Sequence, residues 1–182
     1  MILQKIDELI FTGYKEPTSG RSFVLKENAK QAKCTQARFE CKQDVLVYKF
    51  DKSVKINQKK VDDKFPFLRD IEGLKSMCDF ILFYQKPQKL LVVLCNLKSG
   101  NKHNCQAQLK SGRIFAEFLV NTAKRYYSSD FDNVTINYRQ VLFSSKLLYK
   151  TQLRVPSHDS EKIKNYLSND EITDICNLEN LF

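Results

Sequence analysis

Apolar residues recur at helical spacing at the start of the chain, where Ile2, Ile6, Leu9 and Ile10 share one side ahead of Gly13 and the turn residues Pro17 to Gly20. A short amphipathic helix is predicted there. The pattern then changes to β-rich runs, SFVL at 22–25, ARFEC at 37–41 and DVLVYKF at 44–50. A lysine-rich polar stretch from Asp51 to Lys64 follows and reads as an exposed loop. Pro66 opens a segment, FPFLRDIEGLKSM, in which Phe67, Ile71 and Leu74 fall on one helical face, so a second short helix is predicted.

Two longer apolar runs come next, CDFILFYQ and KLLVVLCNLK, separated by Lys86-Pro87-Gln88. They predict a hairpin whose strands are buried on both faces, at the centre of a sheet. From about Asn101 to Tyr127 the spacing becomes helical, with Gln108, Gly112, Phe115, Leu119 and Thr122 along one face. This is the longest predicted helix. A strand, VTINYRQVLFSS, follows the turn residues Ser128 to Asn133, and Lys146, Lys150 and Arg154 mark a basic tail running to Pro156. Ser168 to Glu171 has a capping-box pattern ahead of Ile172, Ile175 and Cys176, which predicts a C-terminal helix.

The length of 182 residues suits one domain with a real core, and 42% apolar residues place the chain among ordinary globular proteins. Thirty basic against 21 acidic residues give a net charge of +9, which makes a polyanion, DNA foremost, the leading partner. No apolar run approaches the length of a membrane span, and Asp7 and Glu8 interrupt the first apolar stretch, unlike a signal peptide; a cytoplasmic protein with no membrane partner is expected. The six cysteines show no CxxC pair, and His103 with Cys105 forms only a lone H-x-C, read as loop residues rather than half of a zinc site. There is no P-loop and no Rossmann glycine pattern, and His103 and His158 are the only histidines, so a base for serine or cysteine hydrolysis is scarce. Tyr126, Tyr127 and Tyr138 read as core or rim residues.

A hairpin turning at Pro87 brings Asp79 opposite residue 95 or 96. Alternation along the strand then projects Asn96 and Lys98 from one face and Cys95 and Leu97 from the other. An aspartate on one central strand, N-x-K on the next and a helix after it resembles the PD-(D/E)xK nuclease superfamily, over roughly Glu72 to Ser145. The resemblance implies an α/β fold with a central mixed β-sheet flanked by helices, a restriction endonuclease-like core at about 66–145 within a single domain spanning 1–182. It also implies Mg²⁺ or Mn²⁺, held by Asp79, Asn96 and the Leu97 carbonyl, with Lys98 orienting the nucleophile or offsetting charge and Glu72 and Gln108 contributing from neighbouring helices. The chain departs from the pattern at Asn96, where the family has an acid. A unit charge pair near 4 Å is worth about 4 kcal/mol at an effective dielectric of about 20, so the missing charge corresponds to roughly a thousandfold in metal affinity.

Lys102, Lys110 and Arg113, near the start of the long helix, are candidate phosphate contacts. The leading functional expectation is a metal-dependent DNA nuclease, or a nuclease-like subunit of a restriction or anti-phage system as the resemblance implies. Its rivals are a catalytically silent member of that fold that binds nucleic acid or a protein partner, and a structural subunit or homo-oligomer that associates through its terminal helices.

Overall fold

The computed structural model describes residues 1–18, 20–27, 34, 36–61, 65, 68–69, 71, 73–99, 104–145, 163–168 and 173–182. In chain order the elements are α1 (Ile2–Leu9), β1 (Lys15–Glu16), β2 (Ser22–Lys26), β3 (Gln36–Glu40), β4 (Val45–Tyr48), β5 (Val54–Ile56) and β6 (Lys59–Val61). They continue with β7 (Phe80–Lys86), β8 (Lys89–Lys98), α2 (Cys105–Tyr126), β9 (Thr135–Ser144), β10 (Ile163–Leu167) and β11 (Ile175–Asn177). Six strands form a mixed sheet in the order β1-β4-β7-β8-β9-β10. Its first half is antiparallel; β8, β9 and β10 run parallel.

The β7–β8 hairpin pairs Phe80 with Cys95 through to Lys86 with Lys89, and Gln88 takes a positive φ of 56° in the two-residue turn it shares with Pro87. Parallel strands cannot be joined by so tight a turn, and α2 supplies the crossover that returns the chain to β9 beside β8. Both hairpin strands are covered on each face, which explains their unbroken apolar runs. On one face Ile81, Phe83, Leu90, Val92 and Leu94 pack against Ile6 of α1 and Leu109, Ala116 and Val120 of α2. On the other, Leu82, Tyr84, Leu91 and Val93 pack against a three-stranded sheet of order β11-β3-β2, through Phe23, Leu25 and Phe39. The architecture is therefore α/β with a mixed sheet, helices on one face and a second sheet on the other.

Three local expectations change. The predicted C-terminal helix is replaced by strand: Ser168 is buried with its Oγ donating to the Gln36 carbonyl at 2.6 Å, and β11 pairs in parallel with β3. Edge pairing and burial of Cys176, Leu178 and Leu181 outweigh the local capping pattern. The described residues of 65–77 form successive turns rather than a helix, since Gly73 sits at φ +80° and Ile71 and Leu74 face solvent. The expected loop after Asp51 contains the β5–β6 hairpin, turned by Asn57 and Gln58 at positive φ. The basic residues Lys146, Lys150 and Arg154 lie outside the described residues.

Gly112 marks the closest approach of α2 to the hairpin. A β-carbon there would lie 2.3 Å from the Cys78 sulfur, so the helix packs at its observed depth only with glycine at this position. Gly112→Ala is expected to lower stability by about 1–3 kcal/mol through overpacking. In a urea-unfolding double-mutant cycle, Cys78→Ala should recover part of that loss, and equal losses in both backgrounds would contradict the contact.

Candidate metal centre

Antiparallel pairing sets Tyr48 of β4 opposite Ile81 of β7, and Phe80 opposite Cys95 of β8. The C-terminal ends of β4 and β8 and the start of β7 therefore emerge at one end of the sheet, beside the first turn of α2. Asp79 immediately precedes β7. Its N–H donates to the Asn96 Oδ1 at 3.0 Å, and its Oδ2 accepts from the Leu97 N–H at 2.7 Å. The neighbour relation of Asp79 and Asn96 expected from the hairpin is thus a direct hydrogen bond, beside a second bond from the adjacent Leu97 N–H to the Asp79 carboxylate.

Asn96 is fully enclosed at 0% exposure. Beyond accepting from Asp79, it donates through Nδ2 to the Gln108 Oε1 at 3.2 Å and towards the Cys105 carbonyl at 3.4 Å. A buried amide must satisfy both ends, and this one does so by tying β7, β8 and the first turns of α2 together. Gln108 joins the site region through that bond. Lys98 ends β8, half-exposed, and its charge acts on Asp79. Lys110 is exposed on α2, whereas Arg113 pairs with Glu117 at 2.9 Å and lies 5.1 Å from the Tyr138 ring centroid. Tyr138 is half-buried, as a rim residue should be, and Tyr126 is exposed. Glu72, Lys102 and His103 lie outside the described residues.

The carboxylate of Asp79 has two acidic neighbours that sequence reading did not single out. Glu27, just beyond β2 of the second sheet, and Asp51, three residues beyond β4, place carboxylate oxygens within 4.8 Å of it and of each other. Lys49 extends among them, its Nζ 3.0 Å from Glu27 and 3.9 Å from Asp51 while lying over the Phe80 ring. Burial works against the Lys49 charge, but Glu27 and Asp51 more than offset it and hold the ammonium above its ordinary range. Asp51 was legible in principle, because it follows the apolar run VLVY at the edge of the central hairpin. Glu27 comes from the other sheet, and no local pattern connects it to Asp79.

Burial pushes the Asp79 carboxyl up to about 6; the Leu97 N–H and the Lys98 charge oppose the rise, and Asp51 and Glu27 add to it. Three half-buried carboxylates thus crowd one point against two ammonium groups. An all-oxygen anionic donor set of this kind suits a hard divalent cation such as Mg²⁺ or Mn²⁺ and not a thiophilic metal. It is the one cluster of three or more His, Cys, Asp or Glu side chains at metal-binding distance among the described residues.

No helix among the described residues is long and apolar enough to cross a membrane. Comparison with protein-family models, curated proteins and solved structures finds no match to this chain.

Proposed function

We propose that the chain is a metal-dependent DNA nuclease on a restriction endonuclease-like core, with its anionic ligands drawn from Glu27, Asp51 and Asp79 rather than from position 96. The observation that carries this reading is the convergence of those three carboxylates, from three separate segments, on the end of the hairpin where Lys98 also ends. A divalent cation held there supplies Lewis acidity towards a phosphodiester oxygen. The chain's own residues supply the rest. Leu97 fixes one Asp79 oxygen through its N–H, leaving the other for the cation, and the Gln108–Asn96–Asp79 bonds hold that strand start in place. Lys98 offsets charge that develops on the phosphate oxygens as the ester bond breaks.

Cleavage of supercoiled, linear and single-stranded DNA tests the reading. Activity with Mg²⁺ or Mn²⁺ that EDTA abolishes is expected, and intact DNA of all three forms with either metal contradicts it. One observation favours the silent, DNA-binding alternative: Lys49 already brings a positive charge into the cluster. That alternative leaves metal binding absent as well as cleavage.

A pH dependence follows from Asp79. Its folded-state pKa lies above the unfolded value of about 3.9, so the folded protein holds this proton more tightly. Its effect on stability is therefore a loss as pH rises from about 4 to about 6. The cation competes with the same proton, so Mn²⁺ affinity should weaken about tenfold between pH 7 and pH 5. Calorimetric titrations at the two pH values check this, and equal affinities would contradict it.

A further inference from the structure

Lys49 is the first residue beyond β4, and its N–H donates to the Tyr14 carbonyl at 2.8 Å, so its backbone is tied to the main sheet. Its side chain crosses from there to the second sheet. The ammonium stands 3.0 Å from Glu27 and 3.9 Å from Asp51, and the charge of Asp79 also acts on it. It lies 5.1 Å from the ring centroid of Phe80, the residue that follows Asp79. Only 12% of the Lys49 side chain is exposed, whereas Lys5, Lys15, Lys52 and Lys86 keep at least 28% exposed in their ion pairs. Those four are surface pairs that water can replace; Lys49 is an enclosed counter-ion.

An ammonium taken out of water is unfavourable unless anions surround it, and three half-buried carboxylates are unfavourable without a cation. Each here offsets the other. The end of the hairpin is therefore a cation site that the molecule fills with a group of its own. A divalent ion drawing on Glu27, Asp51 and Asp79 would share that space with the ammonium, and like charges repel strongly where water is scarce. Two charges outcompete one for the same carboxylates, and a flexible four-carbon stem lets the ammonium withdraw into water.

We propose that Lys49 is a displaceable internal cation, which occupies the carboxylate cluster in the metal-free chain and which a divalent ion must expel in order to bind. It sets the ion concentration at which the site loads. The proposal rests on the metal-dependent reading and deepens it as regulation of the same site. Calorimetric Mn²⁺ titrations at pH 7 of the parent chain, Lys49→Met and the control Lys52→Met test it. Methionine keeps much of the stem without the charge. Lys52→Met removes the same charge one residue past Asp51, from a lysine that bonds Glu16 and the Lys15 carbonyl.

Lys49→Met is expected to bind Mn²⁺ at least about tenfold more tightly than the parent, and Lys52→Met to stay within about threefold of it. In EDTA, Lys49→Met should unfold at a lower urea concentration than the parent, and saturating Mn²⁺ should recover the loss. Equal or weaker Mn²⁺ binding by Lys49→Met, or an equal gain in both variants, overturns the proposal and leaves the metal site standing. Binding by Lys49→Met but not by the parent supports the proposal and removes the nuclease reading for the parent chain, whereas no binding by any of the three overturns both. Should Lys49→Met fail to fold, the parent chain answers alone. Acylation of Lys49 by an amine-reactive ester, read by peptide mass spectrometry, should run at least about threefold faster in saturating Mn²⁺ than in EDTA, because the ammonium leaves the carboxylates that hold it. An unchanged rate overturns the proposal.

Discussion

Asn96→Asp, a change of almost no volume, is expected to destabilise the protein by about 3–5 kcal/mol at neutral pH. The amide nitrogen donates to Gln108 Oε1 and towards the Cys105 carbonyl in a site with no solvent. A carboxylate oxygen there faces two acceptors and brings a second buried negative charge beside Asp79. The new carboxyl should hold its proton far above the ordinary range, so stability should return as pH falls and the acid regains a donor. Urea unfolding at pH 7 and at about pH 5 checks both parts, and a midpoint at pH 7 equal to that of the parent chain contradicts the structural role. The same packing means that restoring an acid at position 96 loses a joint in the fold before it gains a ligand.

Lys98→Ala is expected to lower the rate of DNA cleavage by at least about a hundredfold while leaving Mn²⁺ affinity no weaker than in the parent chain. The two readouts separate because Lys98 is a positive charge beside an anionic cluster. On the nuclease reading, removing it takes away stabilisation of developing phosphate charge but also frees the carboxylates of a competing ammonium, a gain that offsets the stronger hold of the Asp79 carboxyl on its proton. Unchanged cleavage removes Lys98 from the chemistry. Loss of metal binding would instead indicate that the substitution disturbs the end of β8.

The central hairpin, its register and the following helix are written locally, because burial on both faces forces long apolar runs and the Pro87–Gln88 turn fixes which residues meet. The position of Asp79 beside Asn96 follows from that register. The strand found in place of a C-terminal helix depends instead on distant partners. β11 is strand because β3 offers it an edge, and Ser168 turns inward to bond the Gln36 carbonyl, neither of which a capping pattern at 168–171 reveals. Glu27 is not legible in the sequence for the same reason, since only the packing of the second sheet carries it to Asp79. Conversely, Asn96 could be located from sequence but its bonding could not. Its alignment with the acidic position of the resemblance suggested a ligand, whereas its amide meets Gln108 and the Cys105 carbonyl of a helix whose depth depends on Gly112.

Calorimetric titration with Mn²⁺ at pH 7, of the parent chain and of Glu27→Gln and Asp51→Asn, goes to the heart of this account. The parent should bind one ion, and each substitution should weaken binding by at least about a hundredfold, as loss of one ligand charge near 4 Å requires. No heat of binding in the parent, or affinity unchanged by both substitutions, would contradict it.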